Sequence, residues 1–196
     1  AKDVFLLKRD NLGNPVQMVQ IKGNGNIAID NIESDDNNNL FLIGTFKDTV
    51  MIDTSSFFNA GYLNYQDVYV IMLDSNLQFV SSWNSNGNSS CKNYCSVIDT
   101  ATQSLIIGGY VDGTAHFGST TISGPYVGYI ASFSLQNLQL KYATENSLRI
   151  FDIDTDSKGN IYCATYPYYS TTNIIKYDST CSQIWAQNRV AYNICV

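Results

Sequence analysis

Ile150-Phe-Asp-Ile-Asp-Thr-Asp-Ser-Lys-Gly-Asn-Ile-Tyr-Cys-Ala-Thr165 carries the pattern that decides the fold. Apolar residues alternate with polar ones up to a tight polar turn at Asp156–Asn160 and resume beyond it. That is the sequence of a two-stranded antiparallel hairpin with one buried face. Gly159 can take a positive φ at no steric cost, and the side chains of Asp156 and Asn160 can bond nearby backbone groups.

Upstream, the same hairpin recurs in altered form. Residues 1–22 hold Asp3-Val-Phe-Leu-Leu-Lys-Arg-Asp10, a Gly/Asn turn and a second strand through Ile21, half of a four-strand unit. A full unit follows over 27–83, in which Asp67–Asp74 aligns without a gap on Asp3–Asp10. The next spans 94–143, with Gly109 where Gly44 stood, and another spans 148–187, with Thr165 in place of the glycine. Residues 190–196 read as the first strand of yet another unit. The units exceed the ~40–50 residues of compact propeller blades, the excess lying in the connection between second and third strands. Each unit has an apolar sheet that it cannot bury alone, and stacking four-stranded sheets buries it on the neighbours. An all-β chain is expected, a β-propeller with a half blade, three full blades and one further strand. No window sustains a 3.6-residue period, so helices are not expected.

Composition narrows the function classes. The hydrophobic fraction of 44% supports a real core, whereas only 14% of residues are charged against the roughly 25% usual for soluble domains. Asn, Ser, Thr, Gln and Tyr must therefore supply the polar surface. A net charge of −6 argues against nucleic acid, because nothing here could neutralise a row of phosphates. No run reaches the ~18 apolar residues of a membrane helix. No basic-then-apolar leader stands at Ala1, so a signal peptide is expected to be absent or already removed.

At this point the chain resembles the SBBP-type β-propeller repeats of secreted and surface proteins. The matching pieces are Asp154 with Gly159-Asn160-Ile161-Tyr162, Gly109 with Gly113-Thr114 and Phe117-Gly118, Asp3-Val-Phe-Leu-Leu-Lys8, and Trp83 and Trp185. Thr165 departs from that pattern. The resemblance implies the propeller fold and an extracellular setting, and it implies no catalytic residues, since the matching positions build blades.

Candidate sites are few. Cys91 and Cys95, the only close cysteine pair, are expected to form a local disulfide in a surface loop, leaving Cys163, Cys181 and Cys195 unassigned. Asn88-Ser-Ser90, just before the pair, is an N-glycosylation sequon. Asp152, Asp154 and Asp156 have the i, i+2, i+4 spacing of a calcium loop, but Ser157 and Cys163 stand where such a loop wants Gly and Glu, and a strand's polar face explains the first two. His116, the only histidine, cannot form a triad or a paired-histidine site and fits an ordinary blade position. Asp35–Asn39 reads as a solvated turn. Tyr166, Tyr168 and Tyr169 form a loop of rings that could stack on a sugar or anchor a protein, or simply pack between blades.

The expectation is a non-catalytic, secreted or surface-exposed structural and protein-interaction module without cofactor or metal. Its partners would be copies of itself or the remainder of a larger propeller, joined at unpaired edges into an oligomer or filament. A glycan-binding propeller is one rival. A propeller hydrolase or lyase is the other, and would need clustered carboxylates or a basic clamp at the axis.

Overall fold

The computed structural model describes residues 3–52, 55–58, 65–166, 173–189 and 193–196. In chain order the strands are β1 (Val4–Arg9), β2 (Pro15–Gly23), β3 (Ile27–Ser34), β4 (Leu40–Phe46), β5 (Thr49–Ile52), β6 (Ser55–Phe58), β7 (Asp67–Leu73), β8 (Phe79–Asn84), β9 (Asn86–Gly87), β10 (Ser90–Asp99), β11 (Ser104–Phe117), β12 (Thr120–Ser134), β13 (Leu140–Asn146), β14 (Arg149–Thr155), β15 (Ile161–Tyr166), β16 (Asn173–Tyr177) and β17 (Gln183–Asn188). No helix occurs among the described residues.

These strands form four antiparallel sheets, none of which closes on itself. The second sheet is β3-β4-β7-β8, the third β10-β11-β12-β13 with β9 added to β11, and the fourth β14-β15-β16-β17. Each follows chain order, the fourth as a simple meander and the second with β5 and β6 looped out between β4 and β7. The first sheet is different, with the order β1-β2-β5-β6. Its last two strands come from the connection between β4 and β7, so the middle hairpin of the second unit completes the sheet before it. In the third unit β11 and β12 run 14 and 15 residues, and Ala115 and His116 near their tip pair with Gly87 and Asn86 just past β8. Both long connections thus clasp the end of the preceding sheet. Val50 and Ile52 pack into the core between the first two sheets for that reason.

One irregularity recurs at the same place. The register between first and second strands shifts between Ile29 and Asn31, between Asn93 and Cys95, and between Ile150 and Asp152. Asp30, Tyr94 and Phe151 are the bulged residues. Opposite the bulge stand Gly44, Gly109 and Thr165. A Cβ on Gly44 would lie 1.9 Å from the Ala28 carbonyl oxygen and 2.8 Å from the Tyr69 hydroxyl, which donates to that carbonyl at 2.9 Å. On the neighbouring strand Gly44 pairs with Tyr69 and Gly109 with Tyr129, but Thr165 pairs with Asn173. The glycine is absent where the tyrosine is absent.

Sheets pack face to face in chain order, each front face against the back of the next. Ile21, Val50 and Ile52 of the first sheet meet Leu42, Tyr69 and Ile71 of the second. Phe41, Val68, Val70 and Met72 on the front of the second meet Leu105, Ile107, Tyr129 and Phe133 of the third. Cys95, Ile106 and Ile130 meet Ile150, Ile153, Ile161, Cys163 and Ile175 of the fourth. Period-2 alternation sends one residue forward and the next back, so three cores join four sheets.

Candidate functional site

The cysteine expectation is corrected. Cys91 and Cys95 are free, buried thiols within β10, not a bridged pair in a surface loop. Four residues of extended strand separate their Cα atoms by about 13 Å, and a disulfide needs roughly 4.4–6.8 Å. Cys163 is also free and buried, Cys181 is half-buried and Cys195 exposed. Burial pushes the Cys91, Cys95 and Cys163 thiols well up, so they pack as small apolar groups.

Asn88 is exposed, between β9 and β10, while Ser89 beside it is buried and donates to the Thr114 carbonyl. His116 lies half-buried on β11 with Nδ1 3.0 Å from the Thr121 hydroxyl. The three aspartates do not converge. Asp152 accepts from the Ile194 amide at 2.5 Å and Asp154 from the Val196 amide at 2.7 Å. Asp156 instead closes its own turn, accepting from the Lys158 and Asn160 amides. Residues 193–196 therefore run beside β14, where the first strand of a following sheet would stand. Equivalent inner-strand contacts join the second sheet to the third, Asn31 to Asn93 and Glu33 to Ser96.

Tyr166 takes part in a larger assembly than its own loop, and Tyr168 and Tyr169 lie outside the described residues. The bulges at Tyr94 and Phe151 bring these two rings into a stack with centroids 4.7 Å apart. Tyr110 and then Tyr126 extend the row on one side, at 5.5 and 5.7 Å, and Tyr166 extends it on the other at 5.7 Å. The Arg149 guanidinium lies over the Tyr110 and Tyr126 rings at 4.7 and 4.0 Å, within cation–π range. Tyr126 and Tyr166, the outermost of these five rings, are 38% and 40% exposed. Sequence reasoning missed Tyr94, Tyr110, Tyr126 and Phe151. The bulge that gathers them was visible only as a repeated position without a shared residue type.

The largest departure from ordinary burial is on the first sheet. Phe5 pairs across to Gln20 and Leu7 to Met18, which places these side chains on the back face. Phe5 is 55% exposed, Leu7 42% and Met18 61%. Tyr69 and Ile71, at the positions of Phe5 and Leu7 one unit later, are fully buried against the sheet before them. The front of the fourth sheet shows the complementary lapse. Tyr162, Ile174, Lys176 and Trp185 all keep partial exposure, whereas Phe41, Val70 and Met72, the counterparts of the first three, are buried. Lys176 reaches the Tyr162 hydroxyl at 2.6 Å and the Asp156 carboxylate at 3.5 Å.

A groove of about 480 Å³ opens between the first two sheets, lined by Leu6, Leu7, Lys8, Ser34, Leu40 and Leu77 among others. Among the described residues that line it there is one cation, Lys8, and no carboxylate. Carboxylates with raised pKa lie elsewhere, at sheet junctions. Burial lifts Asp30 to about 6 and Asp67 to about 7, with hydrogen bonds from Thr45 and Ser85 opposing the rise. No protein-family model matches the chain, and comparison with curated proteins finds no match.

Proposed function

We propose that the four sheets are successive blades of a β-propeller, as the SBBP-type resemblance implies, and that the chain is a non-catalytic structural and protein-interaction module acting outside the cell or on its surface. The exposure of Phe5 and Leu7 at positions buried elsewhere in the repeat carries the reading. A contiguous apolar sheet face is expensive to leave in water, and where it persists it is a contact surface. The titratable groups displaced by burial are accounted for as packing, which is the reason for reading no active site here. Exposed Asn88 and the scarcity of charged residues favour the extracellular setting.

An apolar-surface dye tests this reading. Dilute protein should bind the dye, and the double variant Leu7→Glu/Met18→Glu should lose the signal while keeping its melting temperature. Absence of dye binding, or collapse of the variant's melting temperature, would show the face to be part of the chain's own core.

The aromatic row favours a second reading, a glycan-binding module. Partly exposed rings stack on the apolar faces of sugars. Retention on a polysaccharide matrix that disappears in both Tyr126→Ala and Tyr166→Ala would support it, and no retention of the parent chain on such matrices would remove it.

A further inference from the structure

We infer that the back face of the first sheet docks a second copy of this chain, which presents the front face of its fourth sheet. The inference rests on the interaction-module reading and names its partner. Every sheet contact within the chain is front against back, joining a forward set such as Phe41, Val70 and Met72 to a backward set such as Tyr129 and Ala131. The first sheet has a backward set, Phe5, Leu7 and Met18, that no other described sheet covers and that stays exposed. The fourth has a forward set, Tyr162, Ile174 and Trp185, that stays partly exposed. Bringing the two together continues the stacking that already joins the four sheets.

Charge agrees with this pairing. Lys22 lies two residues beyond Gln20 on the back face and is exposed, while Asp154 and Asp156 stand on the inner margin of the fourth sheet, Asp156 within 3.5 Å of the Lys176 ammonium. Two back faces meeting would set Lys22 against its own copy and would use a packing the repeat never employs. The contact is therefore heterologous: each copy keeps one free front and one free back, and association continues until a ring closes or a filament grows.

Sedimentation of the whole chain with three proteins tests this. The parent should grow from 21.8 kDa into multiples as concentration rises to about 100 µM, a range that detects weak association. Leu7→Glu/Met18→Glu blocks the back and Trp185→Glu blocks the front, so each alone should remain monomeric. Mixed in equal amounts they should give a dimer and nothing larger, because one free front meets one free back. Lys176→Glu serves as the front variant should circular dichroism show Trp185→Glu unfolded. A parent that stays monomeric throughout overturns the inference, as does dimerisation of the front-blocked variant alone. Dye binding to the dilute parent is unaffected by either outcome, so the interaction-module reading fails or survives separately.

Discussion

Asp67 is 1% exposed, with Oδ1 accepting from Ser85 at 3.1 Å and Oδ2 buried without a hydrogen bond. Its carboxyl, raised to about 7 by burial, stays protonated in the folded chain over a range where the unfolded chain ionises. The unfolded state then binds fewer protons, so stability falls as pH rises from about 4 to about 7 and levels off above. The cost is on the order of 2–4 kcal/mol. Asp67→Asn should therefore match the parent near pH 4 and exceed it at pH 8 in urea unfolding. Equal pH dependence of the two proteins would contradict this. Asp10 and Asp178, held low by hydrogen bonds in their turns, act in the opposite sense and lose their contribution as pH falls through the carboxylate range. None of this was legible in the sequence, where Asp67 read as a repeat marker equivalent to Asp3. Asp3 is exposed because no sheet stands over it, so the difference arises from stacking and not from the residue.

At the scale of elements, the turns were the most legible part of the chain. Asp10, Asp35, Asp74, Asp156 and Asp178 each accept from the amides two and four residues on. The residue three beyond each has positive φ: Gly13, Asn38, Leu77, Gly159 and Cys181. An aspartate that organises its own turn can hold even leucine in the left-handed region, which ordinarily costs about 1–2 kcal/mol. Gly159→Ala should lose about that amount and more, because the new Cβ would stand 2.9 Å from the Thr102 methyl. Gly13→Ala meets no atom within 4 Å and should show the backbone cost alone. Thermal melts of the two variants compare them directly, and equal losses would contradict the crowding at Gly159. What could not be read was where a hairpin goes after leaving its blade. Thr49–Ile52 has the alternation of a strand, but only the open side of β2 decides that it joins the preceding sheet. The Cys91–Cys95 pair misled for a related reason, because a spacing that suits a loop bridge here spans a bulged strand whose bulge at Tyr94 turns Cys91 into one core and Cys95 into the next.

For the whole molecule, the repeat announced a half unit, three full units and one further strand, and it announced the aromatic and aliphatic positions that fill them. It could not say which faces end up covered, since Phe5 and Tyr69 look alike in sequence and differ only in what stands behind them. The three methionines of the chain report this difference without any mutation. Met18 on the back of the first sheet is 61% exposed, Met51 is 36% exposed, and Met72 between the second and third sheets is 3% exposed. Dilute peroxide followed by peptide mass spectrometry, at a concentration low enough to keep copies apart, measures the three oxidation rates together. An uncovered first face requires Met18 to oxidise fastest, Met51 more slowly and Met72 only on unfolding. If Met18 is instead protected as well as Met72 in the dilute monomer, the first sheet is covered by its own chain, and the account of an open stack with a free docking face is wrong.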